Sequence, residues 1–506
     1  MRLVTPLEMM KLEDLTNQSG VSYEAMMDYA GSGLAVHIAK LAAEQNATAI
    51  LFLCGNGNNG GDCFVAAAKL AKQFTVTVCM VAGIPKTRTA YTKFKQLKGI
   101  TILNDPDKIK EAVRSAPIIV DGMYGIGFRG ELSPLIREIS GIITEAGDKL
   151  CIGVDIPSGG SGLNGTAAEG TLHCAVTVTF GAAKVGMFIP PLEEHCGAIY
   201  LVEIGIPDEA FEQLGYPVTH LAEKEIRALL PTRPVNTHKG MFGTLLTVAG
   251  CRNMPGAAML AMQAALRTGV GLSVLASEEG VCRMLVSQSP EAMMLPLPTD
   301  SAGKLTPQAI PAILDNAKTA SAVLIGCGLG LTDNTRQLVT GLLTQLTCPI
   351  ILDADGLNAI ASSIDILRKA KAPVILTPHP GEMARLVHSS VAEIQKDRIN
   401  VAKRFAARFP NTVMVLKGAG TVIATAEHAS VNTTGNSGMS KGGSGDVLAG
   451  MIAGLTAQHI PPEDAAKIGV FLHGLAGDCA AAEYSRRAML PSDIIRQLPL
   501  LFGEFE

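Results

Sequence analysis

The sequence predicts an α/β protein of two domains, each built on a parallel sheet with helices on both faces. Three observations carry this reading. Apolar runs of strand length alternate with helix-like segments through both halves of the chain. Each half also holds a glycine-rich loop between such a run and a helix, and the proline- and charge-rich residues 205–240 interrupt the alternation between them. A chain of 506 residues that is 47% hydrophobic is too long for one ordinary core, so length points the same way. The boundary is placed near residue 215, giving domains 1–215 and 216–506, each of a size that can hold its own core. No internal repeat or low-complexity tail is present.

In the first half the strand-like runs are "AILFLC", "TVTVCMV", "PIIVDG", "LCIGVDI" and "AVTVTF"; in the second they are "TLLTVAG", "SAVLIGCG", "PIILDADG", "PVILTPH" and "TVMVLKGAG". Lys plus Arg is 42 against 46 for Asp plus Glu, a net charge of -4. That balance argues against nucleic acid or an acidic membrane as partner and favours a small molecule. The 11 cysteines are scattered without a C-x-x-C pair, which fits neither a disulfide framework nor a zinc site and suggests a reducing compartment. Glu8, Glu13 and Asp14 stand where a signal peptide would need its apolar core, and no run approaches the roughly 18 apolar residues of a membrane span. A soluble, cytoplasmic protein is expected.

The loop "CGNGNNGGDCF" follows the first run and opens a helix. Gly55, Gly57 and Gly60 have the G-x-G-x-x-G spacing of a dinucleotide cradle. An ordinary cradle is completed by an acid at the tip of the second strand, about 20 residues on. Here that tip reads Met80, Val81, Ala82 and Gly83. The loop carries instead Asn58, Asn59 and Asp62, which a pyrophosphate cradle does not need. Two more strand ends bear oxygen donors: Asp121 in "IIVDGMYGIGFRGEL", and Asp155 with Ser158 in "IGVDIPSGGSG". Amide, carboxylate and hydroxyl oxygens are hard ligands suited to an oxygen-bound cation. Singly, Asp121 or Asp155 could equally cap a helix or brace a turn; three such ends in glycine-rich contexts favour a site. Arg129, among glycines in "GIGFRGE", could hold phosphate oxygens.

These motifs resemble the YjeF N-terminal family of NAD(P)H-hydrate epimerases, with a Rossmann-like three-layer αβα fold, over about residues 10–210. The resemblance implies that Asn58, Asn59, Gly60, Gly61 and Asp62, together with Gly125, Ile126, Gly127, Phe128, Arg129, Gly130, Glu131 and Asp155, line a site for a hydrated nicotinamide nucleotide. It implies a potassium ion held by Asn59, Asp121 and Ser158. Cys63 stands where relatives often have glycine. Asp155 is the candidate for proton transfer, with ring opening as an equal route to epimerisation.

In the second half, "GNSGMSKGGSGDVLAGM" sets Gly442, Gly443 and Gly445 just before Asp446 and an apolar helix. Such a loop turns N–H groups toward an anion and the helix dipole reinforces them. No G-K-[ST] follows, so it is not a Walker loop. An acid beside that anion hole can deprotonate a substrate hydroxyl while the amides receive a phosphoryl group. The competing reading makes Asp446 a helix cap and Lys441 a solvated charge. Gly256 and Ala257 open a small-residue helix that lets a planar ligand approach. Gly326, Gly328 and Gly330 end another strand, and His379 sits at a strand tip between Pro378 and Pro380. "LKGAGT" is an amide-rich turn suited to a nucleotide phosphate.

With "ILDADGLN", these motifs resemble the YjeF C-terminal family, ADP- or ATP-dependent NAD(P)H-hydrate dehydratases of the ribokinase-like αβα superfamily, over about residues 220–500. The resemblance implies that Ala257, Gly328, His379 and Asp446 contact the hydrated substrate. It implies that Lys417, Gly418, Ala419, Gly420, Thr421 and Gly445 hold the adenine nucleotide, with magnesium, and ADP rather than ATP as co-substrate. "AGCRNMPG" departs from the usual glycine-glycine-serine run, so Cys251 receives no role. The expected activity is epimerisation of NADHX and NADPHX followed by dehydration of the S form, in a homo-oligomer. The alternatives are a small-molecule kinase acting on a vitamin alcohol, and a first domain that senses ligand without catalysis.

Overall fold

The computed structural model describes residues 1–215 and 218–506, which form two compact units, Met1–Val218 and Thr219–Glu506. The expected boundary meets Tyr216, outside the described residues. Among the described residues no helix is long and apolar enough to cross a membrane.

All five runs read in the first half form strands: Ala49–Cys54, Thr75–Met80, Ile118–Gly122, Leu150–Val154 and Val176–Phe180. Thr101–Leu103 and Ala198–Val202 extend the sheet at its edges, and every neighbouring pair is parallel. Across the sheet the order is Thr101–Leu103, Thr75–Met80, Ala49–Cys54, Ile118–Gly122, Leu150–Val154, Val176–Phe180, Ala198–Val202. Growth therefore reverses between Ala49–Cys54 and Ile118–Gly122, the switch point outside which open α/β sheets bind ligands. Phe52, Leu53, Val120, Ile152 and Val154 are fully buried, as expected for strands covered on both faces. A short strand, Arg2–Val4, runs parallel to Ala183–Lys184 with Val4 opposite Lys184. Helix Pro6–Gln18 follows it, fixed at its start by a capping box between Thr5 and Glu8.

The second unit repeats this logic. Its strands are ordered Met293–Leu297, Leu272–Glu278, Thr244–Val248, Ala322–Ile325, Ile350–Leu352, Val374–Leu376 and Thr412–Leu416, all parallel, with the reversal between Thr244–Val248 and Ala322–Ile325. The all-parallel expectation ends there. Thr421–Ala424 and Ala429–Asn432 continue the sheet antiparallel, because the turn at 417–420 is far too short for the crossover that parallel neighbours need.

Helices Pro255–Arg267 and Ser444–Ala457 each follow a strand-tip loop and lie against one another. Gly450 and Gly454 face Ala261 and Ala265 so closely that a Cβ at either glycine would overlap backbone. The small residues in the middle of helix Pro255–Arg267 thus serve close helix packing, and only its first turn is left for a ligand.

Candidate active sites

In the first unit, helix Asn58–Leu70 starts without a side-chain cap, which leaves its first N–H groups open toward the switch point. Cys63 is fully buried against Gly122, whose Cβ, if present, would collide with its sulfur. Asn59, Asp121 and Ser158 come together here. The Ser158 N–H donates to Asp121 Oδ2 at 2.8 Å and its hydroxyl to Oδ1 at 2.5 Å. The Tyr124 N–H donates to Ser158 Oγ at 2.8 Å, and Asn59 Nδ2 donates to the Tyr124 carbonyl at 2.9 Å. That last bond leaves Asn59 Oδ1 as the acceptor facing Gly125, 3.3 Å from where a Cβ would stand. Burial raises the Asp121 pKa, against the lowering effect of the Ser158 and Met123 hydrogen bonds. The donor set is entirely oxygen, which fits an alkali cation.

Asp155 has a left-handed backbone, φ 65°. It forms a buried ion pair with Lys184 and accepts from Thr179 Oγ1 at 3.1 Å. Lys184 also donates to the Phe180 carbonyl at 3.1 Å. Two more acids feel this pair. Burial, then the charges of Asp155 and Glu13, push Asp62 well above the carboxylate range. Glu13, on helix Pro6–Gln18, is raised to about 7 by burial and by the Asp155 charge, with Lys184 opposing. A buried cluster of three acids and one lysine results, of which only Asp62 and Asp155 are expected from the sequence. Lys184 had a signal: it is the only Asp, Glu, Lys or Arg between Glu169 and Glu193. A lone charge in so apolar a segment needs a buried partner. Glu13 had none, because its helix reaches the cluster through non-local contacts: the pairing of Arg2–Val4 with Ala183–Lys184 and the burial of Met9 and Leu12 in the core.

The 125–131 loop lies at the surface of the same region. Gly127, Arg129, Gly130 and Glu131 are exposed, while Gly125, Ile126 and Phe128 are half-buried. Arg129 donates to the carbonyls of Ile126 and Phe128, at 3.1 and 2.6 Å, so its guanidinium is folded onto its own loop. Glu131 lies 3.8 Å from Arg137.

In the second unit, Gly443 adopts φ 104° at the start of helix Ser444–Ala457 and no side chain caps it. Asp446 is therefore not a cap. Lys441 donates to the carbonyls of Arg487 and Met489, so it is not a solvated charge either. Ligand atoms of Asp446, Asp353 and Cys327 lie within 4.8 Å of one another. Lys417 Nζ pairs with Asp353 Oδ1 at 2.7 Å, and Thr377 Oγ1 donates to the same oxygen at 2.7 Å. Burial and the Asp353 charge raise Asp446 to about 6, against the Cys327 hydrogen bond and the Lys417 charge. Burial keeps the Cys327 thiol neutral, its pKa well above the ordinary value. The two carboxylates suit magnesium; a neutral thiol does not.

Gly328, at φ 66°, faces Ala257: a Cβ there would stand 2.9 Å from that of Ala257. Gly445 faces the Lys417 ammonium, 3.2 Å from where its Cβ would be. Ala257 and Gly328 thus meet beyond the adjacent strands Thr244–Val248 and Ala322–Ile325, while Lys417, just past Thr412–Leu416, meets Gly445 in the first turn of the helix that carries Asp446. His379 caps helix Pro380–Leu386, its Nδ1 accepting from the Gly381 and Glu382 N–H groups at 3.0 and 3.4 Å, and its side chain stays half exposed. Asp353, Cys327 and Thr377 lie outside the site residues expected from the sequence, although Asp353 closes the strand "PIILDADG", the position where such sheets place functional acids.

Two αβα units with polar groups gathered at the switch points of parallel sheets, the second with an acid at an amide-lined helix start, define a two-site enzyme acting on nucleotides. Sequence comparison agrees. Residues 245–500 match the NAD(P)H-hydrate dehydratase family and residues 23–186 match the YjeF-related protein N-terminus. A bifunctional NAD(P)H-hydrate repair enzyme from Moorella thermoacetica is 35% identical, covering 100% of this chain and 97% of its own. One from Escherichia coli is 34% identical over 88% of this chain and 84% of its own. The crystal structure of an ADP/ATP-dependent NAD(P)H-hydrate dehydratase from Bacillus subtilis, co-crystallised with ATP and Mg2+, is 38% identical, with a TM-score of 0.51, covering 57% of this chain and 99% of its own. The chain belongs to the bifunctional NAD(P)H-hydrate repair enzymes.

Proposed function

We propose that this chain repairs hydrated nicotinamide nucleotides in two steps: residues 1–215 interconvert the R and S epimers of NADHX and NADPHX, and residues 216–506 dehydrate the S epimer with ADP. The observation that carries the second step is Asp446, an uncapped acid of raised pKa at an amide-lined helix start. Its carboxylate takes the proton from the hydroxyl on the reduced ring. The oxygen then attacks the terminal phosphorus of ADP, and AMP leaves. The first-turn N–H groups at Ser444 and Gly445, and the Lys417 ammonium, stabilise the phosphoryl group in transfer. The ring nitrogen's electron pair expels phosphate to leave an iminium ion, and loss of a proton from the adjacent ring carbon to the released phosphate restores the ring double bond and returns the pair to nitrogen, so hydroxide never has to leave. Asp353 and Asp446 would hold magnesium, which would supply positive charge against the phosphates. Gly328 lets Ala257 and the first turn of its helix approach closely, which leaves a small-residue wall for the ring, and His379 lies two strands further along the same sheet.

Product analysis tests this reading. Phosphate, AMP and NADH in equal amounts are expected; a stable phosphate ester of the hydrate would make the second unit a kinase. Because the base must be ionised, kcat/KM of dehydration should fall about tenfold for each pH unit below about 6 and level off above it. A flat profile from pH 5 to 8 contradicts the role of Asp446.

In the first unit, Asp155 and Lys184 are the groups that move protons at the hydrated ring, whether by direct transfer or by ring opening. Asn59, Asp121 and Ser158 would hold potassium, which would add positive charge beside the Tyr124–Gly125 backbone that Asn59 and Ser158 already bond. Replacing potassium by a bulky organic cation at constant ionic strength should slow epimer exchange and leave dehydration of the pure S epimer unchanged; unaltered exchange removes the ion. The eleven cysteines are all free thiols, which supports a cytoplasmic location, and a homo-oligomer is our expectation for the assembly.

A further inference from the structure

Arg398 opens helix Arg398–Arg408 and is 5% exposed. Both circumstances are unfavourable: a cation opposes the helix dipole at this end, and a buried charge needs compensation. Among the described residues no carboxylate pairs with it. Its partners are Gln395 Oε1 at 2.8 Å and three carbonyls of one turn: Leu416 at 3.0 Å, Lys417 at 3.1 Å and Gly420 at 3.5 Å. Its Nε is buried without a partner.

The turn it grips is anchored at its ends by the hairpin pairing of Leu416 with Val422 but is glycine-rich between them. Gly418 and Gly420 stand at φ 138° and 65°, conformations that glycine leaves easily in the absence of outside contacts. In a trans peptide the carbonyl and the following N–H point in opposite directions. Drawing the Lys417 carbonyl toward Arg398 therefore drives the Gly418 N–H away from it. The Thr421 hydroxyl does the same one residue on, donating to the Gly418 carbonyl at 2.8 Å and so turning the Ala419 N–H. Among the described residues, the N–H groups of Gly418, Ala419 and Gly420 donate to no protein acceptor. Three successive free amides make an anion-binding concavity.

We propose that Arg398 is a positioning residue for the adenine nucleotide: it holds both ends of the turn by the Lys417 and Gly420 carbonyls and turns the Gly418 amide outward, so that the 418–420 segment, with Ala419 turned by Thr421, faces the nucleotide's phosphates. This rests on reading 417–421 as the nucleotide turn. The test uses the full chain with ADP and magnesium. Arg398→Met should raise KM for ADP roughly ten- to hundredfold, the loss of charged hydrogen bonds, with kcat and the KM for hydrate within about threefold. Arg398→Lys, which keeps the charge but not the fork, should fall between. A folded Met variant with unchanged KM for ADP, or one in which kcat and both KM values deteriorate together, overturns the proposal. If the Met variant does not fold, the same split in the Lys variant decides. Hydrogen exchange on the unaltered chain separates the two layers. ADP should protect the amides of 418–420. Without that protection the nucleotide turn itself is misassigned; with it, and with KM unmoved by substitution, only Arg398's role falls.

Discussion

Asp446→Asn should abolish dehydration while leaving a protein more stable than the parent. General-base catalysis is worth about 10²–10⁴-fold in rate, so turnover should fall by at least that much. ADP affinity should hold, because the amides, Lys417 and Asp353 remain and asparagine keeps an oxygen at this position for magnesium. The stability gain follows from the same physics that makes Asp446 a base. Its pKa is raised from 3.8 to about 6 by burial and by Asp353. The folded state therefore binds more protons than the unfolded one between those values, and stability declines as pH rises through that window. Above pH 6 the folded protein bears the full cost, on the order of 2–3 kcal/mol before allowance for partial solvent access. Asparagine is nearly isosteric and uncharged, so at pH 7 the variant should unfold at higher denaturant concentration. A variant that is inactive but less stable would mean that Asp446 is a structural ligand rather than a strained base.

Asp155→Asn should stop epimer exchange and cost stability, the opposite sign. Asparagine tolerates the left-handed φ at this position, so the backbone can stay in place. The substitution leaves the Lys184 ammonium buried beside a neutral amide. Removing one partner of a buried pair typically costs about 3–5 kcal/mol, although Thr179 and the Phe180 carbonyl retain part of the solvation here. Adding Lys184→Met should recover most of that stability without recovering exchange. Dehydration of pure S hydrate should proceed at the parental rate in both variants. Persistent exchange in the folded double variant would assign the chemistry to Asp62 and Glu13 instead.

Both effects reside in groups that the sequence revealed unevenly. The ten apolar runs all became strands, since a strand buried on both faces leaves a continuous apolar signature that survives without context. Glycines before Asp446 and around Asn59 were legible for a similar reason: a tight turn into a helix constrains residue type locally. What escaped was non-local. Glu13 belongs to a helix whose position depends on strand Arg2–Val4 finding Ala183–Lys184, a pairing about 180 residues apart in sequence with no local periodicity to announce it. Cys327 reads as a spacer between glycines until the strand register brings it beside Asp353. Side-chain direction was equally invisible: Arg129 turns back onto its own loop, and His379 caps a helix from a strand tip. The antiparallel edge after Leu416 escaped because "LKGAGT" was read as a phosphate turn, and the same four-residue turn is also what closes a hairpin.

If two sites on one chain process the two epimers of a single damaged coenzyme in sequence, the full chain should repair both. The measurement is NADH absorbance followed to completion after equilibrated R and S hydrate, ADP and magnesium are supplied to the full chain. Complete recovery is expected for the full chain, and recovery that stalls near the S fraction is expected for Asp155→Asn. Stalling in the unaltered chain, or absorbance that never returns while ADP is consumed, would contradict it.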